Sequence, residues 1–480
     1  MRRRATFARG EDGAVAAAHP VAVAAGLETF RRGGNAVDAA VSAQAALTVV
    51  LPHACGLGGD GLALVALSDG EIQAIHGAGA APAIVPSPGK PGATVTIPGV
   101  VDAWSALVGR HGQLTLTDDL AAAVRLAADG IRLPASVAAA VDRQRARLIQ
   151  GGADGWGLLS LEARDRWVQP ALARSLEAVG SDPRAFYEGA LADGIVRAVA
   201  DHGGTFTAND LADHASTWPE PIETPWNGGT LAVQPPMSQG VLLAMAARWI
   251  DRNGPGQAPD HTAAEAIAAA FAHRGQIASG RVLLDEPLEI DPERASHSWA
   301  ARSYLHTAGV AAADRTGKVV SSLVSVFDEF GSGVFVPEGG FVLNDRGEGF
   351  TEAPNHPRSG ALPVHTLAPA LCVDRDGRVS ALATPGADGQ VQTLLQVLLS
   401  MRFDRLDIVA ALERPRWRGE HDDLLIEWGH PAAEDLELRG HRLKAVDLGD
   451  PRFGGVVAAG VDGDGPWAAG DMRREVATGG

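Results

Sequence analysis

The sequence predicts a layered α/β fold in which stacked sheets are covered on both sides by helices. Three observations carry that prediction. Two alanine-rich helical patterns span residues 21–50, broken by Gly33-Gly34, with Asn35 placed to cap the second. β-like runs stand at 62–67 and 318–326, a glycine-rich β-like stretch at 330–343, and a short apolar run at 381–385. Helical periodicity then returns at 391–401. Strands lying between helical segments fit layers, although strand order is not readable from the pattern.

The smaller elements follow from local signals. Thr117, Asp118 and Asp119 open a helix that Gly130 and Pro134 close, and Thr207 with Asp210 opens another. Residues 151–155 form a turn-rich connector, and a helix runs from about His261 through Glu265 to Arg274. The run Gly56-Leu57-Gly58-Gly59-Asp60-Gly61 contains a GxGxxG pattern, but it follows a helix and precedes a strand. A dinucleotide fingerprint needs the opposite order, so close backbone packing is the expected use of these glycines.

Composition narrows the function. The chain has 480 residues, 46% of them hydrophobic, enough for a large core, and the formal net charge of −17 repels polyanions, which argues against a nucleic-acid partner. The basic start Met1-Arg2-Arg3-Arg4 is followed by Arg9, Glu11 and Asp12 rather than an apolar core, so a cytoplasmic protein without a membrane segment is expected. Two cysteines, Cys55 and Cys372, make no metal pair or disulfide framework and are expected to be buried thiols. Lysine occurs only at Lys90, Lys318 and Lys444, none in a cofactor motif. No GxSxG, HExxH or GxxxxGK signature is present.

What remains is Thr307, followed by an apolar strand and by Asp314-Arg315-Thr316-Gly317, then Phe330-Gly331-Ser332-Gly333. Spacing alone leaves an ordinary structural threonine as a full alternative. The wider set of motifs is specific, however. It comprises Gly33-Gly34-Asn35-Ala36-Val37-Asp38-Ala39-Ala40, Gly56-Leu57-Gly58-Gly59, Pro98-Gly99-Val100, 203–211, Pro235-Pro236-Met237-Ser238-Gln239-Gly240, Leu343-Asn344, Thr384-Pro385-Gly386 and 411–417. Over nearly its whole length the chain resembles the γ-glutamyltransferase family of N-terminal-nucleophile hydrolases.

The resemblance implies an αββα sandwich and autocatalytic cleavage between His306 and Thr307, because the family's nucleophilic threonine lies seven residues before the aspartate that is Asp314 here. It implies a large piece, 1–306, and a small piece, 307–480, that together form one composite domain. The free α-amino group of Thr307, with an ordinary pKa of roughly 7.7–8.0, would serve as base for its own hydroxyl. Ser325 matches the family's hydroxyl partner of the nucleophile, with an ordinary strand serine as the alternative. Gly386 and Ala387 match the pair whose N–H groups form the oxyanion hole, with alanine replacing a glycine and a plain turn over 384–390 as the alternative. No metal or organic cofactor is expected.

Substrate-binding positions depart from the family pattern. Ala78 stands where a carboxylate-binding arginine belongs, Phe327 replaces an asparagine, Arg346 and Gly349 replace amine-binding side chains, and His365-Thr366 replaces a Ser-Ser pair. An amine site has thus lost its acceptors and gained a cation. Arg346, His365 and Thr366 are the expected substrate-binding residues, and a small acidic amide of the oxamate or oxalyl kind is expected, with water or an amine as acceptor. A solvated Arg346 and a packed His365 are the alternative. Motif detail resembles the oxamate-amidohydrolase branch. A true γ-glutamyltransferase, a carbon–carbon bond hydrolase and a non-catalytic binding protein remain the other readings, and a homodimer of processed heterodimers is the assembly left open.

Overall fold

The computed structural model describes residues 4–296 and 306–480; the first three residues of the basic start and the region of Ser303, after which the sequence changes texture, lie outside them. The predicted hairpin is present as helices Pro20–Arg31 and Ala36–Val50. Asn35 accepts from the Val37 N–H at 2.8 Å while Asp38 accepts from the Asn35 N–H at 2.7 Å, a reciprocal cap that fixes where the second helix starts. Every residue of that helix is buried. An apolar helix of this kind belongs in the interior rather than on a surface.

Among the described residues, thirteen strands build two large sheets. They are β1 (Thr6–Arg9), β2 (Gly13–Ala17), β3 (Asp60–Ala66), β4 (Ile72–Gly77), β5 (Ile222–Trp226), β6 (Gly229–Val233), β7 (Ala308–Asp314), β8 (Val319–Ser325), β9 (Ala370–Val373), β10 (Val379–Ala383), β11 (Val457–Asp462), β12 (Gly465–Gly470) and β13 (Ala477–Gly479). One sheet runs β13-β2-β7-β8-β3-β4 and the other β1-β12-β11-β10-β9-β6-β5. Each contains strands from both sides of the His306–Thr307 bond.

Alternation along the strands proves the layering. Ala14, Ala16, Leu62, Leu64, Ala311 and Ala313 share one core with Ala232, Leu371, Ala381 and Ala459, so one face of each sheet packs on the other. The intervening residues Val15, Ala17, Ala63, Val65, Val310 and Ala312 pack with helices Pro20–Arg31 and Ala36–Val50. On the far side Leu231, Val233, Ala370, Leu382 and Ala458 pack with helices Gly240–Asn253, Pro259–Phe271 and Gly389–Arg402. The predicted αββα sandwich is the observed fold. Among the described residues no helix is long and apolar enough to cross a membrane.

Several local expectations need correcting. Early strands such as Gly13–Ala17, where no element was expected, are buried on both faces, so they lack the polar alternation that betrays a half-exposed strand. The glycine-rich 330–343 stretch holds only two-residue strands, Phe335–Val336 and Phe341–Val342. The helix assigned to Thr117 is Leu116–Asp129, capped by Thr115 with Asp118. The helix at His261 ends at Phe271, before a 3-10 segment. Cys55 is buried as expected, whereas Cys372 is half-buried; both are free.

The glycine loop meets its expected use. A β-carbon on Gly59 would lie 2.4 Å from the Ser325 carbonyl oxygen, and one on Gly58 would lie 2.2 Å from that of Val342. Gly59→Ala is expected to lower stability by about 1–3 kcal/mol through this overpacking. A denaturant midpoint equal to that of the unsubstituted protein would remove close packing as the reason for the motif.

Candidate active site

Three strand ends place the candidate residues. Asp314 closes β7, accepting from the Thr316 N–H at 2.8 Å and from the Ala36 N–H at 3.0 Å, so the strand is pinned to the buried helix. Seven residues earlier in the chain, Thr307 emerges at the opposite end. β8 pairs antiparallel with β7 and β3, with Val324 opposite Ala308 and Ser325 opposite Asp60. Thr307, Ser325 and Asp60 therefore stand side by side at one rim of the sheet.

At that rim the Thr307 hydroxyl donates to Ser325 Oγ at 3.2 Å, and Ser325 Oγ donates to the His306 carbonyl oxygen at 3.1 Å. The Phe327 N–H donates to the same Oγ at 2.9 Å, which fixes its lone pairs. One hydroxyl thus touches both the candidate nucleophile and the carbonyl that precedes it. The expected Ser325 contact is present.

Arg346 and His365 converge on a residue that sequence reasoning missed. Arg346 Nε donates to Asp60 Oδ2 at 3.1 Å, and His365 Nε2 lies 3.2 Å from the same oxygen. His365 Nδ1 accepts from the Leu367 N–H at 3.3 Å, so Nε2 carries the ring hydrogen and donates to Asp60. All three side chains are fully buried. The expectation that the amine site has lost its acceptors is corrected, because Asp60 is one. Its only sequence signal was a carboxylate placed between the glycines and an apolar strand.

Asp60 occupies the Nε edge of the guanidinium and leaves the rest. Both Arg346 Nη atoms lack a hydrogen-bond partner among the described residues, as does Asp60 Oδ1. The guanidinium carbon lies 4.3 Å from the Phe327 ring centroid, so the replacement of asparagine by phenylalanine supplies a stacking face. Burial holds the Asp60 carboxyl above its usual range against the pull of Arg346, and holds His365 well below its own. Thr366 is buried beside His365.

Gly386 and Ala387 precede helix Gly389–Arg402, with φ of +130° and +49°. Alanine therefore does reach the left-handed conformation that the loop requires. Neither N–H has an acceptor among the described residues, and the start of a helix favours negative charge. Gln239, a second residue without an assigned role at the outset, donates to the carbonyls of Ala387 and Thr366, each at 2.7 Å. Its amide joins the oxyanion candidates to the His365-Thr366 segment.

Thr307 also opens onto a cavity of about 520 Å³, lined in part by His53, Arg143, His306, Pro385 and Arg474. Arg143 holds Glu329 in an ion pair, and Glu329 lies 3.4 Å from His306. Burial pushes both His53 and His306 down to about 3, with the neighbouring arginines adding to the effect on His306. Ala78, in the place of the expected arginine, is buried at the far side of Asp60 beyond β4.

With this geometry in place, the comparisons are consistent. A family model described as gamma-glutamyltranspeptidase matches residues 22–480. The chain belongs to the gamma-glutamyltranspeptidase family. It is accordingly an enzyme of the N-terminal-nucleophile hydrolase type. Relatives of this family member include the oxamate amidohydrolase proenzyme of Klebsiella pneumoniae subsp. pneumoniae, 32% identical over 89% of this chain and 88% of that protein. The glutathione hydrolase-like YwrD proenzyme of Bacillus subtilis is 29% identical over 94% and 95%. Among solved structures, the cephalosporin acylase from Bacillus halodurans superposes with a TM-score of 0.89 at 28% identity, covering 100% of this chain and 97% of that one.

The buried histidines set a pH dependence. Burial holds His76 at about 4 against the opposing pull of Asp60, below the ordinary 6.5. The unfolded chain then binds more protons than the folded one between those values, so stability rises with pH there. From about pH 6.5 down to 4, His76 is expected to remove up to about 1.4 kcal/mol per pH unit. Urea midpoints from pH 7 to pH 5 for the unsubstituted protein and His76→Asn check this; identical slopes would refute it.

Proposed function

We propose that this chain is an autoprocessing amide hydrolase or acyltransferase whose nucleophile is Thr307 and whose acyl group is small and acidic, oxalyl-like rather than γ-glutamyl. The observation that carries the proposal is the double contact of Ser325 with the Thr307 hydroxyl and the His306 carbonyl. The hydroxyl oxygen adds to that carbonyl carbon while Ser325 stabilises the negative oxygen. The hydroxyl proton passes to the Thr307 nitrogen, and collapse breaks the His306–Thr307 amide and leaves an ester on Oγ1. Water hydrolyses the ester, giving pieces 1–306 and 307–480 and a free α-amine on Thr307.

In the processed enzyme the α-amine takes the proton of the Thr307 hydroxyl as oxygen attacks the substrate carbonyl. The N–H groups of Gly386 and Ala387 receive the oxyanion. The proton passes to the departing amine as the C–N bond breaks, and water or another amine then releases the acyl group. Arg346, its charge oriented by Asp60, offers its two Nη atoms to the substrate carboxylate, with His365 and Thr366 beside it. The relative named oxamate amidohydrolase supports an oxalyl-like acyl group.

The cavity of about 520 Å³ at Thr307 favours a second reading of the leaving group. Oxamate releases only ammonia, which leaves that volume unused, whereas an amine with an apolar body fills it. Relatives named acylase, at 29% identity, support removal of an acyl group.

Thr307→Ala is expected to give one uncut species by intact mass, and Ser325→Ala to slow scission by about 10²-fold, in line with the loss of one donor to an oxyanion. An uncut unsubstituted protein would leave a ligand-binding member of the family. The processed protein, given oxamate, an N-oxalyl anilide or a γ-glutamyl anilide with hydroxylamine, is expected to yield oxalyl hydroxamate. Trapping γ-glutamyl hydroxamate in preference would overturn the role given to Arg346, and release of an oxalyl fragment from a ketone substrate alone would place the chemistry at a carbon–carbon bond.

A further inference from the structure

We propose that His261 Nδ1, His441 Nε2 and the Glu265 carboxylate form a binding site for a late first-row divalent cation, zinc in the first instance, remote from the chemistry of Thr307. Helix Pro259–Phe271 carries His261 and Glu265, and His441 lies between helix Ala433–Leu438 and the strand Leu443–Val446. The i, i+4 spacing puts the first two on one helix face. Ligand atoms of the three residues all lie within 4.8 Å of one another, and all three residues are buried.

The orientation of His261 is that of a metal-binding imidazole. Its Nε2 lies 2.9 Å from the Asp291 carbonyl oxygen. A carbonyl only accepts, so Nε2 carries a hydrogen, and Nδ1 is the ring nitrogen that faces His441 Nε2, 2.8 Å away. A backbone carbonyl on the outer nitrogen is the usual arrangement that orients a histidine ligand. Glu265 is held in turn: its Oε2 accepts from the Ser296 N–H at 3.0 Å and from the Ser296 hydroxyl. Two nitrogens on a tetrahedral zinc sit about 3.3 Å apart, so the imidazoles need to part by only about 0.5 Å. Two imidazoles and a carboxylate suit zinc, and three protein ligands leave a position for water or another oxygen.

The placement gives the ion a role. His261 and Glu265 lie before the His306–Thr307 bond and His441 lies after it, so one cation would join the two pieces that scission produces. The same residues hold the leg 291–296, which also accepts from Arg439 Nη1 at Pro292 and donates to its carbonyl from Ala295. The bound ion would therefore anchor the chain that leads toward the cleavage point. The role as a link rests on the proposed scission; the ion site does not, and the two are tested separately.

The experiment uses the full chain, stripped with chelator and titrated with Co²⁺ and then Zn²⁺. One Co²⁺ per chain with the visible absorption of a four-coordinate ion, displaced by Zn²⁺, is the expected result in both the unsubstituted protein and the uncut Thr307→Ala protein. His441→Ala is expected to abolish the bands and Glu265→Gln to weaken binding at least about 10- to 100-fold, the loss common for residues that only support a ligand. Circular dichroism matching the unsubstituted protein establishes that a variant is folded. Absence of stoichiometric binding by the unsubstituted protein overturns the site without any variant. Bands that persist in folded His441→Ala overturn it equally, because the ion is then elsewhere.

Discussion

Close contact between the glycine loop and the last turn of the neighbouring strand positions nearly everything of chemical interest. The loop can reach Ser325 only because no side chain intervenes at Gly59. That approach sets β3 against β8, which brings Asp60 opposite Ser325, and β8 against β7 sets Val324 opposite Ala308, which leaves Ser325 within hydrogen-bond reach of Thr307. Three residues far apart in the chain are thereby fixed by backbone hydrogen bonding rather than by side-chain flexibility. A site built on strand ends in this way holds its geometry before any ligand arrives.

Electrostatics follow from the same packing. Asp60 and Arg346 are fully buried, so neither is solvated and each depends on the other. His365 is oriented by Leu367 and made neutral by burial, so it adds a hydrogen bond without a second positive charge. Among the described residues, polar atoms on both members of the pair are unmatched. Buried unmatched donors of this kind are unfavourable in an idle protein and become useful only when a complementary group enters.

Legibility in the sequence tracked whether a feature is local. The hairpin at 21–50 was readable because Asn35 caps its own helix, whereas Ser325 was singled out only through the family resemblance, since a serine on an apolar strand carries no local signal of its own. Asp60, in contrast, gains its meaning from partners 286 and 305 positions away, and no local pattern encodes such a meeting. Gln239 is similar: its motif was visible, but the two carbonyls it joins come from separate loops. Strands such as Gly13–Ala17 escaped because burial on both faces erases the alternation that signals a strand.

Interleaving has a further consequence for molecularity. β7 and β8 insert between β2 and β3, and the C-terminal β13 returns to pair with β2. An intact chain can unfold and refold as a first-order process. Once the backbone is interrupted before β7, the braided segments belong to two molecules, and reassembly becomes second order and dependent on concentration. Thermal history is then remembered: a nicked molecule that opens fully has no unimolecular route home, so its persistence is governed by how slowly it opens.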